Sequence, residues 1–319
     1  MRIGKIKIIP IADESLGVRS MCLFLETPDI KILFDPGVSL APRRYGLPPH
    51  PFEFKAVKEA RRRILSYAKK ADVVTVSHYH LDHYTPAFKS WYEWTDEETY
   101  GEIYSEKIIL AKNVEEHINF NQRKRGLVFK NKVEDLGSAR LLYFDSNRML
   151  FGSTVVEASP PLPHGSEGSK LGWVLIFTVI CGEYKVMYAP DVQGPISDKT
   201  LSYILSIMPD VLIVGGPPLY LSGRKVKREE VEKGLENLKK LSNDLKYVIL
   251  SHHLLRDKKW KEVFSTNVFL FSSILGSSEE LLEANRDILY KEHPPSEDFL
   301  KWINEYRKTK GFNNPPPLD

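Results

Sequence analysis

Val73-Val74-Thr75-Val76-Ser77-His78-Tyr79-His80-Leu81-Asp82-His83 packs four metal-ligating side chains into six residues, directly behind a short β-branched apolar run. Residues 73–76 have the length and branching of a buried strand. On an extended backbone side chains two apart share a face, so His78 and His80 point together. A turn after His80 then brings Asp82 and His83 round to the same cavity, where imidazole and carboxylate make a donor set suited to Zn²⁺ and its divalent neighbours. The competing reading, a polar loop whose histidines cap local backbone groups, fits a lone histidine better than this cluster.

The remaining candidate donors also stand at strand ends. His164 lies in Pro160-Pro-Leu-Pro-His164-Gly, after a strand-like Ser153-Thr-Val-Val-Glu-Ala. A histidine in a Pro/Gly turn sits on a loop at the rim, where binding groups concentrate. The run Lys185-Val-Met-Tyr-Ala ends in Pro190-Asp191, and Lys246-Tyr-Val-Ile-Leu-Ser ends in His252-His253. Asp35 closes the strand-like Lys31-Ile-Leu-Phe before Pro36-Gly37. His164, Asp191 and His252 are each alone equally readable as turn residues, and Asp35 has the initiation of a Pro-Gly turn as its alternative.

His-x-His-x-Asp-His at a strand end, followed in order by His164, Asp191 and His252, resembles the metallo-β-lactamase superfamily. The resemblance spans residues 35 to 252 and implies a four-layer αββα sandwich of the α/β class. It implies that His78, His80 and His164 hold one divalent ion, that Asp82, His83 and His252 hold a second, and that Asp191 bridges them. His252 is taken over His253 as the last ligand. Asp35 matches the carboxylate that supports a ligand from behind. Pro190, where the family commonly has Gly, is a departure that restricts the approach of Asp191. Zinc is the expected metal, with manganese or iron as alternatives. Two such ions bring about +4, and Asp82, Asp191 and a bridging hydroxide remove three, so a hydroxide nucleophile is stabilised at neutral pH. The implied activity is hydrolysis of an ester, phosphodiester or lactone, with Asp191 and Asp82 as the catalytic carboxylates and Asp82 shuttling the proton to the leaving group. Two alternatives share the ligands: a ribonuclease, which requires basic clusters on the metal-bearing face, and an iron-dependent oxidoreductase. The diiron flavoprotein version has Glu where this chain has His80. A metal-stabilised binding module is disfavoured because structural zinc sites are usually closed by four ligands.

A small anionic substrate is expected, and nucleic acid is the second candidate partner. The net charge of +3 is mild for a nucleic-acid binder. Arg61-Arg62-Arg63, Arg123-Lys124-Arg125 with Lys130 and Lys132, and Lys225-Val-Lys227-Arg228 nevertheless form basic clusters, of a kind that usually mark solvated faces. The segment 88–104 is aromatic and acidic, either a pocket wall or outer-layer packing. Arg43, Arg44 and Tyr45, in the Pro-rich loop after Asp35, and Arg256, just past His252, are candidate substrate contacts. For Arg256 a solvated charge is the equal alternative. His50 reads as a loop residue, His117 as a helix-face residue and His293 as part of a turn. Gly215-Gly216 lets backbone approach the site and lacks the ending of a phosphate loop.

Strands are expected near 3–9, 20–26, 30–35, 72–77, 108–111, 153–158, 172–180, 184–189, 211–214, 247–250 and 267–271, and helices over 53–70, 112–120, 197–207, 227–243, 279–290 and 296–309. Residues 1–319 read as one unit, with helices about 279–309 packed on it, because the ligands themselves run from 35 to 252. Residues 313–317, Asn-Asn-Pro-Pro-Pro, read as a frayed end. Cys22 and Cys181 fall inside apolar runs and read as small buried hydrophobes in a reducing compartment. The amino terminus lacks a secretory signal, and 171–181 is too short to span a bilayer, so a cytoplasmic protein without membrane contact is expected.

Overall fold

The computed structural model describes residues 1–309 and 314–318. Its strands are β1 (Arg2–Ile3), β2 (Ile6–Asp13), β3 (Met21–Glu26), β4 (Lys31–Phe34), β5 (Val73–Val76), β6 (Ile108–Ala111), β7 (Arg140–Tyr143), β8 (Arg148–Phe151), β9 (Thr154–Ala158), β10 (Leu162–Pro163), β11 (Trp173–Val174), β12 (Phe177–Cys181), β13 (Tyr184–Ala189), β14 (Val211–Gly215) and β15 (Tyr247–Ser251). Its helices are α1 (Pro51–Ala68), α2 (Glu97–Tyr104), α3 (Phe120–Leu136), α4 (Asp198–Ile207), α5 (Arg228–Asp244), α6 (Trp260–Val263), α7 (Phe271–Leu275), α8 (Arg286–Glu292) and α9 (Glu297–Thr309).

Strands β1 to β7 form one sheet in chain order, antiparallel as far as β4 and parallel from β4 to β7. A second sheet runs β15-β14-β13-β12-β9-β8, with β13, β14 and β15 parallel. The β10–β11 pair makes a separate short ribbon. β5 is buried along its whole length, as a central parallel strand covered on both faces must be.

Three apolar clusters define four layers. Alternate residues of the first sheet pack with Phe54, Val57, Tyr100, Phe129, Phe299 and Trp302 of α1, α2, α3 and α9. The opposite residues, including Leu23, Ile32 and Val73, meet Val156, Phe177, Val186 and Ile213 of the second sheet. Beyond that sheet, Met187, Leu212 and Val248 pack under Ile204 of α4 and Leu238 and Leu241 of α5. Period-2 alternation in the strands therefore feeds two interfaces at once. The expected αββα sandwich is the observed architecture.

Several expected elements differ. Residues 112–119 are turns rather than helix, and the helix begins at Phe120. His117 has φ 45° and meets Trp173 edge to face, so it is a loop residue and not a helix-face one. The strand expected at 267–271 reduces to one bridge, Ile249 to Phe269, before α7. Over 279–290 only Arg286 onward is helical, because Glu280 pairs instead with Leu16. Residues 172–180 divide between β11 and β12. The carboxy-terminal residues dock rather than fray: Trp302 Nε1 donates to the Asn314 carbonyl at 3.1 Å and Leu318 packs on the first cluster. Asn313 of that stretch lies outside the described residues. Cys22 and Cys181 are buried and unpaired, as expected.

Buried ion pairs fasten the loops that lead to the strand ends. Arg61 of α1, only 2% exposed, donates to the carbonyls of Pro36, Glu93 and Trp94 and to Thr85 Oγ1, which brackets the His78–His83 turn. This removes Arg61 from the solvated basic cluster. Arg286 donates two parallel hydrogen bonds to the Glu53 carboxylate, both at 2.7 Å, and Arg19 does the same to Glu283, both at 2.6 Å. His50 caps α1: its Nδ1 accepts from Phe52 N, so its Nε2–H donates to the His293 carbonyl at 2.7 Å.

Replacing Arg61 by Met takes the donor from the Glu93 and Trp94 carbonyls and leaves the Pro36 carbonyl to Thr85 Oγ1 alone, and a loss of roughly 2 kcal/mol or more in unfolding free energy is expected from urea titration. Burial alone would raise the pKa of Glu283, but the Arg19 guanidinium outweighs it and lowers the value to about 2. A lowered native pKa contributes stability that is complete above the ordinary value of 4.5 and is lost as pH falls toward 2. Urea midpoints measured between pH 6 and pH 2.5 should therefore fall less steeply in Glu283→Gln than in the parent, from a lower starting value.

Candidate metal centre

The clustered side chains all come from the carboxyl ends of strands or the turns just beyond them. Asp35 follows β4, His78 to His83 follow β5, His164 follows β10, Asp191 follows β13 and His252 follows β15. Parallel neighbours deliver these ends to one edge of the sandwich, the usual position for a site in an α/β sheet. Asp35, Asp191 and His252 all have left-handed backbones, with φ of 42°, 51° and 68°. L-residues adopt such angles only where surrounding structure holds them. Close approach is also built in at glycine. A Cβ on Gly37 would lie 2.3 Å from the backbone nitrogens of His83 and Tyr84, and one on Gly215 would lie 3.0 Å from that of Asp191.

Four overlapping groups of side chains have donor atoms close enough to share an ion: His78, His80, His164 and Asp191; Asp35, His78 and His83; Asp82, His83 and His252; and Asp191, His252 and His253. Asp191 is central. Its Oδ2 lies 2.9 Å from His164 Nε2, 3.0 Å from His78 Nε2 and 3.2 Å from His83 Nε2, and its Oδ1 lies 2.9 Å from His252 Nε2 and 3.1 Å from His253 Nε2. Despite these neighbours Oδ1 has no hydrogen bond of acceptable geometry. His78 Nε2 faces His80 Nδ1 at 3.0 Å, and His83 Nε2 faces His252 Nε2 at 3.3 Å. Ring nitrogens aimed at one another, around a buried carboxylate oxygen without a donor, are what cations would satisfy. The residues fit a divalent metal centre.

Asp35 orders this array from behind. It accepts from His83 Nδ1 at 2.9 Å, Ser77 N at 2.9 Å, Tyr188 Oη at 3.2 Å and the Ser77 hydroxyl. The proton on His83 Nδ1 leaves Nε2 turned toward Asp191. Because the Ser77 hydroxyl donates to Asp35, its oxygen accepts from His78 Nδ1 at 3.0 Å, which turns His78 Nε2 the same way.

A second buried network, missed in the sequence reading, flanks the other end. Glu14, just past β2, lies 3.1 Å from His252 Nδ1 and 2.7 Å from Arg256 Nε. Arg256 Nη2 donates to Asp82 Oδ2 at 3.0 Å and rests about equally close to both nitrogens of His252. Arg256 is thus neither solvated nor free for a substrate anion. The signal for this network was Asp13-Glu14, adjacent carboxylates at a strand end. The strand was expected to stop at residue 9, which hid them.

Arg44 Nη2 donates to the Arg256 carbonyl at 2.7 Å, and its guanidinium stacks on Tyr45 and Tyr220. Tyr45 Oη donates to the Ala284 carbonyl at 2.9 Å. Neither they nor Arg43 line the cleft of about 340 Å³ over the cluster, whose walls include His80, Asp82, Arg125, Asp191, Tyr220 and His253. His253 therefore joins the centre beside His252, with Tyr220 Oη 3.2 Å from its Nδ1. Only His252 shares a donor group with Asp82 and His83. Of the three basic clusters, Arg125 alone places its charge on the cleft. Trp91, Tyr92 and Trp94 of the aromatic segment pack on the first core cluster, which is the outer-layer reading.

The model of the β-lactamase superfamily domain matches residues 18–239. The chain belongs to that superfamily. UPF0282 proteins from Methanopyrus kandleri and Pyrococcus horikoshii are each 44% identical to it over 289 residues, covering 89% of this chain and 98% and 93% of theirs. It belongs with these UPF0282 proteins. Among solved structures it is similar to the metallo-β-lactamase fold protein YhfI of Bacillus subtilis at 13% identity and a TM-score of 0.46, over 87% of this chain and 98% of that one. Among the described residues no helix is long and apolar enough to cross a membrane.

Burial alone would lower the pKa of His83, but Asp191 and then Asp35 outweigh it and raise the value to about 10. At pH 8 His83 without a bound cation therefore carries a proton that coordination through Nε2 would have to displace. Adding zinc to metal-free protein in weak buffer at pH 8 should release about one proton per bound chain, read by a pH indicator, and less in His83→Gln.

Proposed function

We propose that this chain is a metal-dependent hydrolase of small anionic esters, phosphodiesters or lactones, acting as one unit over its length. The observation that carries the reading is the convergence of His78, His80, His83, His164 and His252 on Asp191 at the floor of an open cleft. His78, His80 and His164 would hold one divalent ion, Asp82, His83 and His252 a second, and Asp191 would reach both. Zinc suits this nitrogen-rich set. Bound there, such ions supply an activated water and polarise the oxygen that gains charge during attack.

The protein's own residues would do the rest. Asp191 is ionised: burial opposes this, but His252, His164 and His83 draw its pKa well below the usual carboxylate range. Asp82 is held down similarly by His83, His252 and Arg256 against the cost of burial. Arg256 fixes the angle of Asp82, so that the carboxylate faces the cleft in a single orientation. His253 and Tyr220 form a polar wall where a leaving group would emerge. The size of the cleft, and a single basic cluster reaching it, favour a small substrate over a polynucleotide.

Purified protein should contain divalent metal by elemental analysis and turn over a generic phosphodiester or a lactone. Asp191→Ala should lower turnover by at least a thousandfold and reduce metal content. Unchanged turnover in that variant would overturn the mechanism. One iron per chain with no hydrolysis would overturn the hydrolase reading in favour of oxidative chemistry.

A further inference from the structure

Three arginines line the cleft, and two of them are already neutralised. Arg19 is committed to Glu283, and Arg256 to Glu14 and Asp82. Arg125, on α3, has no carboxylate partner among the described residues; its one hydrogen bond is a long contact to the Tyr79 carbonyl at 3.4 Å. It is half-buried in the cleft wall. Arg125 also lines a second cavity of about 500 Å³ on its other side. That cavity lies between α3 and the chain leaving the metal motif; its walls are mostly apolar, with Tyr84, Pro86, Phe88, Val128 and Phe129, and also carry Asn121 and the Glu97–Lys132 ion pair. Lys124, likewise without an acidic partner among the described residues, stands at its rim. An unpaired guanidinium shared by the cleft over the His/Asp cluster and a mostly apolar chamber matches a ligand that is anionic at one point and apolar beyond it.

We propose that the substrate is amphiphilic. Its anionic group, phosphate or carboxylate, is held by Arg125 beside the reacting centre, and an alkyl or aromatic substituent occupies the chamber under α3. This rests on the hydrolase reading for the reacting centre, but the binding claim stands on geometry alone. It accounts for a large apolar opening kept beside the cluster, with Phe88 and Val128 both more than half exposed on its wall.

Calorimetry on the metal-loaded protein with methyl, butyl and octyl phosphate, nonanoate and octanol tests it without turnover. Affinity should rise by about three- to fourfold per methylene seated, giving at least a tenfold gain from butyl to octyl phosphate. Octyl phosphate or nonanoate should bind at least tenfold more tightly than octanol, and which of the two is tighter identifies the anion. Arg125→Ala should remove that anionic preference and leave octanol binding in place, with Arg125→Lys restoring part of it. Val128→Trp fills the chamber from an exposed position that the fold tolerates, and should flatten the chain-length dependence while sparing methyl phosphate. A flat dependence in the parent protein, or an undiminished one in Val128→Trp, overturns the proposal, as does octanol binding as tightly as both anions. Chain-length dependence without any hydrolysis would fail the hydrolase reading alone, whereas hydrolysis without chain-length dependence would fail this one alone.

Discussion

The buried carboxylate of Asp35 is the constraint on which the site rests. It stands at the end of β4 in the first sheet, yet it accepts hydrogen bonds from Ser77 and His83 beyond β5 and from Tyr188 on β13 of the second sheet. One charged group thereby ties the two sheets together at their shared edge and sets the rotation of two imidazoles. A carboxylate without those donors would be costly in a fully buried position. The left-handed backbone at Asp35 and the absence of a side chain at Gly37 are what let the chain turn close enough to supply them.

The opposite flank is governed by a balance of charge. Arg256 bridges Glu14 and Asp82 beside His252, so removing it leaves two carboxylates facing the imidazole without their shared cation. This explains why a basic residue four positions past His252 belongs to the scaffold, although in a linear reading it resembles a free substrate contact. The same economy places Arg286 on Glu53 and Arg19 on Glu283, so that residues near the carboxyl terminus hold down the long loop after Asp35. With those guanidiniums occupied, the charge left to meet a substrate comes from α3, a helix absent from the expected set.

Errors in the expected elements have local causes. β7 and β8 carry no fully buried residue, so their hydrophobic signal is faint. α3 exposes Leu127 and Val128 and turns Gly126 and Phe129 inward, which blurs its apolar stripe. Leu281, Leu282 and Leu289 mimic helical spacing, but Glu280 is bridged to Leu16 and residues 282–285 form turns before the helix starts at Arg286. By contrast β6 and β13 fall at the expected residues, because burial on both faces leaves a four-residue apolar run in each, 108–111 and 186–189.

By itself the sequence determined the donor chemistry, the order of the strand ends and the α/β class, since ligand type and hydrophobic period are local properties of the chain. Tertiary structure alone decided that Glu14 and Arg256 brace His252, that His253 faces Asp191 as well, that Arg61 is a buried clamp and that Arg125 opens onto both cavities. Those relations join residues up to 242 positions apart. Charge compensation across such distances has no period and no motif, because it depends only on which strand ends the packed sheets bring to the same edge.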